Sequence, residues 1–224
     1  ADGPVRTMVM GKSDPQKEMQ AQRVKNFMNY QIMDQMKEYE SDFDQMLFYL
    51  PLSGSTFKKV YYDDLLGRAV SKFVPADDLV VPYTATSLDD AESVIHIVKM
   101  SENELRKQMV SGFYSDIELT KPTDANTNEL EEKEREVEGL TKSQRTESMY
   151  TILECHVNLD LEGFEDLGPD GEPTGIKLPY VVTIEEGSRR VLSIRRNFAP
   201  NDPKKNKIQY FVHFKFLPGL GFYG

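Results

Sequence analysis

Three glycines, Gly219, Gly221 and Gly224, stand at G-x-G-x-x-G spacing directly behind an apolar-alternating stretch, which is where a dinucleotide-binding turn would sit. That chemistry needs a helix N-terminus to receive the pyrophosphate, an acid about 20 residues on for the ribose, and a βαβ crossover. The strands read before this point form a meander, so the glycines are expected to make a bend into another element. Histidine chemistry has three candidates, His96, His156 and His213. Cys155 and His156 are adjacent and would point to opposite faces of a strand, so they cannot share an ion there. His156 and His213 are expected as satisfied surface or cross-strand histidines, and Cys155 as a free buried thiol. The carboxylate pairs Asp63 with Asp64, Asp77 with Asp78, and Asp89 with Asp90 have the chemistry to hold a hard cation or to serve a hydrolase. They sit at turns, where capping orphan N–H groups is their plain role. No Gly-x-Ser-x-Gly elbow is present, and Gly54 to Lys59 lacks phosphate-loop spacing. The expectation is a protein that is not an enzyme and carries no cofactor.

Charge adds a second constraint. The chain has 224 residues and a formal net charge of −10. Tight wrapping of DNA by such a chain is disfavoured, because phosphate binding draws on a basic excess; a surface past which DNA slides is not. The charge is polarised. Acids dominate from Glu118 to Glu138, whereas Arg189, Arg190, Arg195, Arg196, Lys204, Lys205 and Lys207 face one acid, Asp202. Those seven bases are the candidate surface for an anionic partner or for a second copy. No apolar run approaches the roughly 18 residues of a membrane-spanning helix.

The elements that must carry these groups are legible in outline. Residues 1–12 read as a mobile arm. Ser13, Asp14 and Pro15 then open a helix in which Val24, Met28, Ile32, Met36, Tyr39, Phe43, Met46 and Leu50 recur at steps of three and four. One long helix, or two in series, is expected to end at Pro51 and Gly54; at about 35 residues it would reach roughly 50 Å. Met28, Ile32, Met36, Tyr39, Phe43 and Met46 form its candidate subunit-packing face, because so long a helix exceeds what a small core needs. Thr56–Tyr62 and Arg68–Val74 read as a β-hairpin around Asp63–Gly67, with a short strand at Leu79–Val81. Ser101 and Glu104 make a capping box for a short helix. The stretch 118–147 reads as an acidic flexible insertion. Beyond it, runs near 153–159, 178–184, 190–196 and 208–216 read as a four-stranded antiparallel meander. The fold class is α+β, in two parts, 13–117 and 148–218.

These segments resemble the portal protein, or head-to-tail connector, of short-tailed bacteriophages. The resemblance lies in Phe27-Met28-Asn29-Tyr30-Gln31, Leu50-Pro51-Leu52-Ser53-Gly54-Ser55 and Phe57-Lys58-Lys59-Val60-Tyr61-Tyr62-Asp63. It continues in Val74-Pro75-Ala76-Asp77-Asp78-Leu79, Met100-Ser101-Glu102-Asn103-Glu104-Leu105-Arg106 and Tyr210 to Gly224, so that it runs from about Arg23 onward. It implies the wing region of a subunit in a ring of about a dozen copies at one capsid vertex of the virion, assembled in the host bacterial cytoplasm. The implied partners are copies of itself, capsid proteins, the packaging ATPase (terminase), tail adaptor proteins and double-stranded DNA passing through a channel, with no membrane. On this resemblance 219–224 is expected to begin the junction toward a stem, and tunnel-lining residues have no counterpart here. Two other readings remain: a β-rich tail or adaptor module that docks a protein partner, and a metal-dependent hydrolase using the turn carboxylates.

Overall fold

A computed structural model describes residues 3–119, 149–217, 219 and 222. Most of the expected acidic insertion, together with Gly221 and Gly224, lies outside these residues. The fold is α+β, with N-terminal helices and two antiparallel sheets of three and five strands. The chain divides into two compact units, one of Ala1–Asp77, Thr86–Asp89 and Gln209–Gly224, the other of Asp78–Ala85 and Asp90–Ile208.

The first unit begins with two helices in series. Helix α1 (Pro15–Tyr30) starts where Asp14 accepts a hydrogen bond from the Lys17 N–H at 2.9 Å and Pro15 occupies the first turn. A single π turn, Gln31–Gln35, follows, closed by the Met36 N–H on the Gln31 carbonyl. Met36 (φ −85°, ψ 77°) then leaves helical geometry, and α2 (Tyr39–Ser53) starts anew. The apolar period therefore does not make one continuous face. Pro51 is inside the last turn of α2, and Gly54, at φ 74°, ends it in the left-handed conformation that glycine adopts without a Cβ clash.

Strands β1 (Ser55–Asp63) and β2 (Arg68–Pro75) form the expected hairpin, whose turn is held by Asp63 Oδ1 accepting from the Leu65 and Leu66 N–H groups. The α2 side chains Tyr39, Phe43 and Met46 lie on the face of α2 that also carries Asp42, which accepts from the Phe73 N–H in β2 at 3.0 Å; Met46 is only 1% exposed.

In the second unit, β3 (Leu79–Val80), β4 (Ser93–Met100), β5 (Tyr150–Leu159), β6 (Leu178–Glu185) and β7 (Arg190–Arg196) pair in that order. Helix α3 (Glu102–Val110) carries the complete capping box between Ser101 and Glu104. Its Leu105 and Met109 pack with Tyr114, Tyr150, Ile152 and Leu192 to form the core on one sheet face. On the other face Leu178, Tyr180 and Val182 pack with Cys155, Val157, Leu161 and Phe198. The β6–β7 turn is tied by the buried Glu185 carboxylate, which accepts from the N–H groups of Gly187 and Ser188.

The expected four-stranded meander needs correction. Of its strands, only β5, β6 and β7 follow one another in one sheet. The strand expected from 208 to 216 is β8 (Phe211–Lys215), which pairs with β1 in the three-stranded sheet, in order β2-β1-β8. The reason lies in its inward side chains. Phe57 opposes His213 with ring centroids 4.4 Å apart, and Phe211 is buried. Hydrogen bonds alone leave an antiparallel strand free to join either sheet; aromatic cross-strand packing supplies the choice.

Candidate interaction surfaces

Helix α1 buries none of its residues. One side is lined by residues 3–10, whose exposure alternates as in an extended strand, with Gly3, Val5, Thr7 and Val9 less exposed than Pro4, Arg6, Met8 and Met10. Asn29 holds this strap with a pair of bonds: the Val5 N–H donates to Asn29 Oδ1 at 2.9 Å and Asn29 Nδ2 donates to the Val5 carbonyl at 3.0 Å. Thr7 Oγ1 donates to the Ala21 carbonyl at 2.9 Å. Gly3 lies so close that a Cβ there would collide with the Asn29 side chain. The side of α1 away from Ala21 and Asn29 presents Arg23, Phe27 and Tyr30 to solvent, and Val24 is exposed at its edge. An apolar stripe facing water is what an amphipathic helix has when its partner is absent.

The six residues expected to form one packing face are thus divided. Met28 is exposed on α1, Ile32 lies in the π turn, and Met36 forms the break, whereas Tyr39, Phe43 and Met46 belong to α2. Tyr39 and Phe43 stack on each other, with centroids 5.8 Å apart, and cover Lys58, whose Nζ lies 4.6 Å and 5.4 Å from the two ring centroids. Lys58 is 5% exposed and its Nζ has no hydrogen-bond partner among the described residues. Burial holds its pKa below the usual lysine value, against the opposing attraction of Asp42 and Glu38. Glu38 is occupied by a bidentate pair with Arg68, both contacts at 2.8 Å, which lowers the Glu38 pKa.

The seven bases of the second unit do not converge either. Arg195 lies over the Phe113 ring, 3.8 Å from its centroid, and donates to the Phe113 carbonyl at 2.9 Å. Arg196 follows on the opposite face of β7, 5.7 Å from the Phe164 centroid. Lys205 pairs with Asp166, whose pKa this hydrogen bond depresses. Lys207 Nζ donates to the Ala91 carbonyl at 3.3 Å. Arg189, in the left-handed region at φ 55°, and Arg190 lie at the far end of β7, while Lys204 is exposed in the turn capped by Asp202. The alternating pleat of a strand puts neighbouring bases on opposite faces, so a run of charge in sequence is not a patch in space. Arg196 and Lys205 do meet at a cavity of about 510 Å³ lined also by Phe164, Glu165, Leu178, Phe198 and Pro200.

His156 and His213 lie in different sheets, so they do not pair across neighbouring strands. His156 is buried against Glu154, at 2.7 Å. His213 packs against both Phe57 and Phe222, at centroid distances of 4.4 Å and 4.8 Å, the two phenyl rings being 6.0 Å from each other, and its Nε2 is 2.5 Å from the buried Ser55 hydroxyl. Burial first, and then the Lys215 charge, lowers its pKa to about 4, so it is neutral near pH 7. Cys155 is half-buried, and its thiol pKa is raised by burial. Among the described residues no group of three or more His, Cys, Asp or Glu side chains is arranged to hold a metal ion, and no described helix is long and apolar enough to cross a membrane.

No family model matches this chain, and no curated protein matches it.

Two features escaped the sequence. The strap against α1 had a faint signal in the alternation of Val5, Thr7 and Val9, but its polar clamp, Asn29, looks like any helix asparagine. Lys58 had none: a lysine in a strand normally points to water.

Proposed function

We propose that this chain is the wing part of a portal subunit, which assembles with further copies into a ring at a capsid vertex. In this reading the ring frames the conduit for genome packaging and ejection, and is the platform for capsid proteins, packaging motor and tail adaptors. The observation that carries the reading is α1. A capped, strapped helix of 16 residues with Val24, Phe27 and Tyr30 in solvent is built to be covered by another chain. The order of the resembling segments, from Arg23 through the hairpin and the capped helix to β8, supports it. The net charge of −10 suits a frame that DNA passes without adhering. Native mass spectrometry and negative-stain microscopy of the protein at full length test this: rings of about a dozen copies are expected, and a strict monomer at every concentration overturns it.

The cavity under Arg196 favours a second reading, a β-rich adaptor module that docks a protein partner. Hydrogen exchange in the complex separates the two, since a module would protect the five-stranded sheet and leave α1 solvated.

A further inference from the structure

We propose that the bare face of α1 in one copy packs on the outer face of α2 in the next, making an interface between two different surfaces of the same chain. The inference rests on the self-assembling reading above and specifies its contact. The sheet-facing side of α2 carries Tyr39, Phe43 and Met46. Further round the helix, its outer side presents Glu40, Asp44, Leu47, Phe48 and Leu52, all exposed, with Phe48 at 68%. That strip has an acidic N-terminal half and an apolar C-terminal half. The α1 strip has the opposite charge, with Arg23 beside Phe27 and Tyr30, and Phe27 is 59% exposed. Arg23, Glu40 and Asp44 form no ion pair among the described residues, so each is available to a partner.

The lengths also match. Sixteen residues of α1 and 15 of α2 give rods of about 24 Å and 22 Å at 1.5 Å per residue. Both strips are bare in the same chain, so neither satisfies the other within one copy. Because the two surfaces differ, the contact is head-to-tail: each copy offers α1 to one neighbour and α2 to the other, and a rotation that closes gives a ring. Phe27 against Leu47 and Phe48 would supply the desolvated centre, and Arg23 against Glu40 and Asp44 the register at the rim.

The test uses two charge reversals on exposed positions, Arg23→Glu and Asp44→Arg, with folding checked by circular dichroism and assembly read by native mass spectrometry. Each variant alone is expected to weaken assembly by more than about tenfold, since like charges then meet at every interface. Mixed in equal amounts they are expected to assemble again, in oligomers that alternate the two chains. In such an oligomer the introduced carboxylate on α1 of one variant meets the introduced guanidinium on α2 of the other, and the next interface pairs the native Arg23 with the native Asp44. If both variants assemble like the unmodified chain, the α1–α2 contact is wrong while the ring reading stands. If each is weakened and mixing does not restore assembly, α1 meets another surface, either a different partner or a segment of its own chain, and the inference fails. A monomeric unmodified protein overturns both.

Discussion

Helices α1 and α3 begin in the same way and end up in opposite situations. Asp14 caps one and Ser101 with Glu104 caps the other, so each start is written locally. Helix α3 then buries Leu105 and Met109 in the core of the five-stranded sheet, whereas α1 buries nothing. Capping contributes about 1 kcal/mol and sets where a helix begins. Burial of a large side chain contributes about 1.5–3 kcal/mol and sets whether the helix belongs to a cooperative fold. A well-capped helix without burial is therefore a helix awaiting a surface, and the contrast can be broken by experiment.

The largest expected effect lies on the buried side. Leu105→Ala should cost about 2–5 kcal/mol in urea denaturation followed by tyrosine fluorescence. The exposed counterpart Phe27→Ala should stay within about 0.5 kcal/mol of the unmodified monomer. Equal losses would mean that α1 is part of the same cooperative unit and not a free surface. Next comes the acid response of the first unit. His213, with a pKa of about 4 in the folded chain against the ordinary 6.5, is neutral in both states above pH 6.5. Between these values the unfolded chain takes up a proton that the folded one refuses, so stability falls as pH drops from 6.5 toward 4. Glu38, whose pKa is lowered, contributes stability that persists above its ordinary 4.5 and is lost only below it, so the decline between 6.5 and 4.5 belongs to the histidine. The slope of urea midpoint against pH should flatten in His213→Gln; an unchanged slope would place the responsible group elsewhere. The smallest effects are at the caps. Ser101→Ala should cost about 1 kcal/mol of global stability, whereas Asp14→Ala should reduce far-UV helical signal without moving the midpoint. A midpoint shift of the same size in both would erase the distinction between the helices.

Local rules made much of this fold readable. Asp63 to Gly67 announces a hairpin because its acid can tie the turn, and Ser101 with Glu104 announces a helix start because the pairing is reciprocal. The break at Met36 is harder to see. Apolar residues keep their three-and-four spacing from Val24 to Leu50, and a π turn that adds one residue to a single turn leaves that spacing nearly intact while swinging the following side chains round. The assignment of β8 is also hidden, since its alternation fits either sheet, and the pairing follows from Phe57 and His213, 156 residues apart. The basic run reads as a surface only while proximity in sequence stands for proximity in space; on β7 the pleat sends Arg195 to Phe113 and Arg196 to Phe164.

What this chain's residues dictate alone is therefore the class of each segment: where helices are capped, where strands turn, which faces are apolar, and how charge is polarised along the chain. These depend on neighbours within about four residues, and the relevant side chains act on their own backbone. Which apolar faces find a partner was decided only in three dimensions. Leu105 is buried against the five-stranded sheet and Met46 is buried, while Phe27 and Phe48 meet water, although all four read alike as apolar residues on helices. Burial is a property of pairs of surfaces, and the hydrophobic effect that rewards it has no direction of its own.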